Sequence, residues 1–145
     1  PLQPALDKQT DHDITIRRGM PPEKHFVLSW IREHFSEFWV SEADVCFAQQ
    51  PPSIFLAIAD ERVIGFACYD STRRGFFGPT GVGEAARGKG TGTALLLACL
   101  WDMWHQGYGY AIIGAAGPTD YYQRVCGATI IEESTYGVYE GMLRK

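Results

Sequence analysis

Apolar and polar positions in the first half of the chain predict a strand, two helices and an antiparallel meander. Residues 14–18 (ITIRR) alternate between apolar and polar side chains, which is typical of a short strand. Apolar residues at spacings of three and four then predict a helix after Pro21 and Pro22. The remaining predicted elements are a helix over 37–50 and strands over 53–60, 62–70 and 74–82, with a short turn at Asp60 and Glu61 between the first two strands.

The second half of the chain predicts a long helix, a short helix and further strands. An apolar helix over 93–106 follows a glycine-rich segment and is closed by Gly107 as its C-terminal cap. The later elements are a buried strand over 110–115, a helix over 118–125 and a hairpin of residues 128–133 and 136–143. The resulting order, β-α-α-β-β-β-α-β-α-β-β, defines an α/β (α+β) fold with a mixed, mostly antiparallel central sheet.

Length and charge exclude several classes of function. The chain has 145 residues, the size of one domain, and 13 Lys and Arg against 17 Asp and Glu give a net charge of −4. This balance argues against nucleic acid as a partner. No apolar run approaches the roughly 18 residues of a membrane span, so we expect no membrane partner. Residues 1–13 are polar with two prolines and are predicted to be a mobile N-terminal arm or linker.

The cysteines and histidines indicate a protein of a reducing compartment that needs no metal ion. The four cysteines form no CxxC pair, and Cys99 lies in an apolar helical run where a buried, reduced thiol is expected. The four histidines have no metal-ligand spacing. We therefore expect a cytoplasmic protein without a metal site.

Residues 81–93 (GVGEAARGKGTGT) are the segment most informative about chemistry. They join a predicted strand to a predicted helix, where free N–H groups and the helix dipole favour an anion. Glycines at 88, 90 and 92 allow close approach of the backbone to a phosphate, and Arg87 and Lys89 add positive charge. The segment therefore predicts a phosphate or pyrophosphate site.

Two nucleotide-binding motifs fit this segment poorly. A P-loop over Gly83 to Lys89 requires a Ser or Thr next, but Gly90 stands there and the Mg²⁺-binding hydroxyl is missing. A dinucleotide motif on Gly81, Gly83 and Ala86 lacks a following parallel βαβ unit with a ribose-binding acid. A Mg-nucleotide hydrolase is therefore disfavoured.

A third motif fits much better. Arg87-x-x-Gly90-x-Gly92 resembles the [Q/R]-x-x-G-x-[G/A] loop of the GNAT superfamily of N-acetyltransferases, which use acetyl-CoA. Val82 stands where this family usually has a valine ending the preceding strand, and residues 121–128 (YYQRVCGA) resemble its FYxx(x)xGA segment. The resemblance runs from about residue 14 to the C-terminus. It implies one GNAT-like domain over residues 14–145, with helices on both faces of the sheet.

The resemblance also implies a site and a reaction. The loop would hold the pyrophosphate of acetyl-CoA, and the pantetheine arm of acetyl-CoA would pair with the strand before the loop. The end of the next strand would line the gap between these two strands, which splay apart in this family. The residues implied in binding this co-substrate are Thr80, Gly81, Val82, Arg87, Gly88, Lys89, Gly90, Thr91, Gly92, Thr93, Gly114 and Ala115. The acetyl group would pass directly to a primary amine, with the Val82 N–H polarising the thioester and Tyr122 as the general acid. Tyr121 is more typical of a core aromatic.

The sequence departs from the family pattern at three points. Glu84 replaces a proline, and residues 114–120 (GAAGPTD) replace an asparagine that often precedes the tyrosine helix. The strand over 74–82 carries no carboxylate, so the general base is either a water chain or a group elsewhere such as Asp70 or Glu33. The alternative to an enzyme is therefore a catalytically silent CoA-binding accessory or regulatory domain.

The two N-terminal helices suggest an acceptor site for a small-molecule amine. They carry aromatic and acidic side chains, namely Trp30, Phe35, Phe38, Trp39, Glu33, Glu37, Glu42 and Asp44. We hypothesise a partly aromatic, acidic pocket for a cationic amine; the alternative is core aromatics with a solvated acidic face. We expect a monomer or a homodimer.

Overall fold

A sheet of five strands in chain order is the frame of the structure, a computed structural model that describes residues 1–132, 134 and 137–145. The strands are β1 (Thr15–Arg18), β2 (Ile54–Ala59), β3 (Arg62–Tyr69), β4 (Phe76–Val82) and β5 (Ile112–Ile113). The helices are α1 (Leu2–Asp11), α2 (Lys24–His34), α3 (Glu37–Phe47), α4 (Thr91–His105) and α5 (Thr119–Cys126), with 3-10 turns at Pro21–Glu23, Glu84–Ala86 and Gly137–Tyr139. Strands β1 to β4 pair antiparallel, which confirms the predicted α/β class with a mostly antiparallel sheet.

The chain forms two compact units. The first is Pro1–Ile112 and contains β1 to β4 and α1 to α4; the second is Ile113–Lys145 and contains α5. Within the described residues, no helix has both the length and the apolarity needed to cross a membrane.

The predicted turn between β2 and β3 is confirmed. Asp60 and Glu61 have φ values of 50° and 62°, which match a two-residue hairpin turn of the type that suits the twist of antiparallel strands. The strand that follows β3 begins two residues later than predicted, at Phe76.

The sheet of the first unit is covered on both faces. Alternate residues of β2 and β3, including Leu56 and Phe66, pack with Val27 and Ile31 of α2 and with α3. Helix α4 packs on β2, β3 and β4 and buries Leu95 and its neighbours. Because both faces are buried, β2 and β3 are continuous apolar runs instead of alternating ones.

A polar network joins β1, β3 and α4 on the α4 face. Asp102 of α4 accepts a hydrogen bond from Arg18 Nη2 at 2.8 Å and another from the Tyr69 hydroxyl. Gln106 Nε2 donates to the same Tyr69 oxygen at 2.6 Å. Burial opposes ionisation of Asp102, but the hydrogen bonds and charge of Arg18, with the Tyr69 hydrogen bond, lower its pKa. Burial and the neighbouring carboxylate raise the pKa of Tyr69 to about 12.

The N-terminal residues form a helix, so the prediction of a mobile arm or linker over residues 1–13 was wrong. Helix α1 packs on α4 and β1, and the first compact unit begins at Pro1 instead of residue 14. The prolines misled the prediction, because Pro4 lies in the first turn, where its missing N–H costs nothing. Leu2, Ala5, Leu6 and Gln9 then recur at helical spacing, a signal that the polar composition obscured.

The end of the chain also differs from the prediction. Residues 128–132 contain no strand, and Gly137–Tyr139 is a 3-10 turn, so the predicted hairpin is not formed by the described residues; Glu133, Thr135 and Tyr136 lie outside them. The apolar residues of this segment do not find a buried face, since Ile130 and Ile131 are each 60% exposed. Among the described residues, the element order therefore gains a helix at the start and lacks the last two predicted strands.

Candidate functional site

The glycine-rich segment turns the chain from β4 into α4, and residues 87–89 at its centre are exposed. Gly88 and Gly90 have φ values of +89° and +76°, in the left-handed region where a side chain is strained. Gly90 is the N-cap of α4, and its carbonyl accepts the first helical hydrogen bond, from Ala94. The amides of the first turn, including those of Thr91 and Gly92, lack carbonyl partners within the helix, and the dipole makes this end positive. This is the geometry of an anion site.

Arg87 ties the loop back to the end of β4. Its Nε donates to the Val82 carbonyl at 3.1 Å. Both Arg87 and Lys89 are exposed, as expected of cations that meet a ligand from solvent.

The backbone of Val82 faces the free side of β4. The Gly83 N–H donates to Ile64 of β3 at 2.8 Å, and Val82 pairs with Gly65 in the antiparallel register. Neighbouring residues of a strand direct their polar groups to opposite edges, so the N–H of Val82 points away from β3. The Ile112 N–H of β5 donates to the carbonyl of Gly75, seven residues before Val82, at 2.9 Å. Val82 therefore lies at the opposite end of β4 from the hydrogen bond between Ile112 and Gly75.

Helix α1 holds the loop, a role that the sequence analysis missed. Gln9 is 1% exposed; its Nε2 donates to the Lys89 carbonyl at 2.8 Å and its Oε1 accepts from Thr91 Oγ1 at 2.6 Å. Thr91 is 1% exposed as well, so this pair is shielded from water. Lys8, the preceding residue, lies over Gly90: a β-carbon at residue 90 would stand 3.1 Å from Lys8 Nζ.

An aromatic cluster of Trp30, Phe35, Trp39 and Phe66 lies beside β4. Phe35 is at its centre, with ring centroids 4.9 Å from Trp39, 5.7 Å from Trp30 and 6.0 Å from Phe66. A β-carbon at Gly81 would stand 2.5 Å from the Phe35 ring, so glycine is required there by close packing. The aromatic part of the hypothesised acceptor pocket thus comes together, although Phe38 is 49% exposed and is not part of the cluster.

Three of the four acidic residues of that hypothesis have partners of their own. Glu37 pairs with Arg32 at 2.5 Å and Asp44 pairs with Lys24 at 2.6 Å, while Glu42 receives the Thr72 hydroxyl. Each of these carboxylates therefore has a local partner instead of facing a shared pocket. The same holds for Asp70, a candidate general base, whose carboxylate accepts from the Gly75 N–H and the Tyr108 hydroxyl at 2.7 and 2.9 Å.

The remaining predicted site residues belong to the second unit. Tyr122 lies on α5 and is 8% exposed; burial, with Tyr121 and Cys126 nearby, raises the pKa of its hydroxyl. The strand predicted over 110–115 is shorter than expected, since β5 covers only Ile112–Ile113. Gly114 and Ala115 therefore form a turn after the strand, and Ala115 has a φ of 48°.

The chain belongs to the acetyltransferase (GNAT) family, whose family model matches residues 24–128. Known structures share its fold. A GNAT family N-acetyltransferase from Escherichia coli in complex with CoA aligns with a TM-score of 0.60 and 21% identity, over 79% of this chain and 68% of that one. One from Brucella melitensis in complex with acetyl-CoA has a TM-score of 0.60 and 20% identity, over 78% and 81% of the two chains.

A third structural relative is one region of a much larger protein. It is the glucosamine N-acetyltransferase region of a fungal multi-domain β-N-acetylglucosaminidase, with a TM-score of 0.63 and 15% identity. The match covers 84% of this chain but only 17% of the fungal chain. Among curated proteins, none matches the sequence.

Proposed function

We propose that the protein is an N-acetyltransferase that moves the acetyl group of acetyl-CoA directly to a primary amine of a small molecule. The observation that carries this proposal is the β4–loop–α4 unit, in which left-handed glycines leave the positive end of α4 open beside Arg87 and Lys89. Family membership and the CoA complexes of two structural relatives support the same co-substrate.

The proposed donor site follows the chain from β4 into α4. Residues 87–93 bind the pyrophosphate through their amides, with Arg87 and Lys89 adding charge. Residues 80–82 pair with the pantetheine arm along the free edge of β4, and Gly114 and Ala115 supply a small-residue border. The N–H of Val82 points away from β3 and is the donor proposed to bind the thioester oxygen.

In the proposed reaction the amine nitrogen forms a bond to the acetyl carbon while the carbon–sulfur bond breaks. The Tyr122 hydroxyl gives its proton to the leaving thiolate, and the amine releases its own proton to water. The register of Tyr122 in the FYxx(x)xGA segment supports this role; burial raises the pKa of its hydroxyl, which is protonated at neutral pH with or without that shift. Most of the remaining rate enhancement comes from positioning of the neutral amine.

The proposed acceptor lies against the aromatic cluster. The faces of aromatic rings attract a cationic or polar amine even where no carboxylate is present. Glu37 and Asp44 instead form ion pairs with nearby cations at the protein surface. We propose a cytoplasmic enzyme, a monomer or homodimer, consistent with free cysteines at positions 46, 68, 99 and 126.

The decisive experiment is release of free CoA thiol from acetyl-CoA, measured with a panel of amines, amino sugars including glucosamine, and peptides. We expect acceptor-dependent release with at least one small amine. Calorimetry with CoA, with no Mg²⁺ added, is run in parallel. CoA binding without turnover on any acceptor would favour a silent accessory domain, and binding of ATP instead of CoA would overturn the donor site.

A further inference from the structure

Helix α1 is not part of the proposed donor site. It precedes the residues matched by the family model, which begin at residue 24, yet it contacts the loop directly. Its only buried polar residue is Gln9, and both ends of that side-chain amide are bonded to the loop or to the first residue of α4.

The Thr91 hydroxyl holds the Gln9 side-chain amide, and the hydrogen bond from that amide to Lys89 sets the orientation of one peptide unit. The Lys89 carbonyl is directed at Gln9 Nε2, and in a trans peptide the following N–H points the opposite way. The amide of Gly90 is therefore directed away from α1. Without Gln9 the left-handed glycines on either side of Lys89 would let this peptide turn and present a carbonyl oxygen to an anion.

The position of Lys8 gives the same helix an electrostatic role. The last turn of α1 is a favourable place for a cation, but the Lys8 side chain extends over Gly90 at the start of α4. A cation at a helix N-terminus is repelled by the dipole unless an anion lies between them. Lys8, Arg87 and Lys89 all lie at this one positive end, which is the arrangement expected around a polyphosphate.

We propose that α1 completes the donor site: Gln9 is a positioning residue that orients the loop amides, and Lys8 is a third cation for the phosphates of CoA. The inference rests on the proposed function, since it concerns the same bound co-substrate. It adds a part of the chain outside the family match to the machinery that binds the donor.

The test is calorimetric titration of the full chain with CoA. We expect Lys8→Met to weaken binding about three- to tenfold, and Gln9→Met about tenfold, in line with the loss of a charge-assisted contact and of a buried hydrogen-bond pair. Lys24→Met is the matched control, because Lys24 is also exposed on a helix but pairs with Asp44; it should bind CoA within about twofold of wild type.

Two further readouts separate these roles from a general effect on folding. Gln9→Glu keeps the acceptor for Thr91 and nearly the same shape, but loses the donor to Lys89 and adds negative charge; it should weaken CoA binding more than Gln9→Met. The Kd of Lys8→Met should rise less steeply with sodium chloride than that of wild type, because one screened attraction is gone.

The outcomes are distinct. Wild-type affinity for CoA in Lys8→Met and Gln9→Met, or equal affinity of Gln9→Glu and Gln9→Met together with an unchanged salt dependence, would overturn the role of α1 while leaving the donor site intact. Failure of the wild-type protein to bind CoA would instead refute the proposed function.

Discussion

Two tyrosines stand next to each other on α5, and they differ in their surroundings. Tyr122 is buried and its pKa is raised, chiefly by burial, whereas Tyr121 stacks edge-on against it at 5.2 Å and packs under the Arg124 guanidinium. A tyrosine hydroxyl is protonated at neutral pH even without this shift, so the raised pKa is compatible with a proton donor but does not select one. The assignment to Tyr122 rests on the register of the FYxx(x)xGA segment.

Replacing Tyr122 with Phe tests this assignment. The ring is retained and only the proton donor is lost, so we expect kcat to fall roughly 10²-fold while the Kd for CoA stays unchanged. Tyr121→Phe is the matched control and should leave kcat nearly unchanged. A loss of kcat in Tyr121→Phe with none in Tyr122→Phe would mean that the general acid is assigned to the wrong tyrosine.

At the scale of elements, the fit between β4 and the turn from α2 to α3 is set by one glycine. The Phe35 ring occupies the space that a β-carbon at residue 81 would need, and Gly83 similarly lies 3.3 Å from the Trp30 ring on the same measure. The strand can therefore approach the aromatic cluster this closely only with glycine at residue 81, whereas the contact at residue 83 is tight but less severe.

Gly81→Ala is expected to destabilise the protein by about 1–3 kcal/mol, because Phe35 must move out of a packed cluster. The φ of Gly81 is not in the left-handed region, so the effect contains no left-handed backbone strain. Urea unfolding measures it as a lower midpoint. Gly109→Ala, which meets nothing within 4 Å, is the control and should not lower the midpoint. An unchanged midpoint in Gly81→Ala would show that Phe35 does not constrain β4.

At the scale of the whole molecule, acid stability depends on the Arg18–Asp102–Tyr69 network. Asp102 has a lowered pKa in the folded state, so its contribution to the free energy of unfolding is present above its ordinary value of 3.8 and is lost as pH falls through the folded value. The network joins three elements of the first unit, so its loss should be felt by that unit as a whole.

Asp102→Asn should lower the free energy of unfolding at pH 7 by about 1–3 kcal/mol, because Arg18 loses a largely buried partner. The free energy of unfolding of this variant should also fall less steeply than that of wild type below about pH 4. Asp44→Asn, which breaks an ion pair that is half exposed, should change stability by less than about 1 kcal/mol. An acid limb as steep as that of wild type in Asp102→Asn would assign acid sensitivity to other groups.

Much of the fold was predictable because its signals are local. The runs over 53–82 and the apolar helix after residue 90 appear nearly as predicted, and Gly107 closes α4 with a φ of +98°. The predictions failed where local composition and packing disagreed: prolines and polar residues concealed α1, and the apolar run at Ile130 and Ile131 remains exposed instead of pairing as a strand.

The sequence by itself determined the meander, the long helix and the glycine loop between them. Hydrophobic periodicity and the left-handed conformation of glycine are local properties, which depend on residues close together in the chain. Only the tertiary structure decided what holds that loop in place. Gln9 contacts Lys89 across 80 residues of chain, and Phe35 fills the space above Gly81 from another element. Such contacts depend on which surfaces the fold brings together, and the local sequence around one partner does not indicate which residue it will contact.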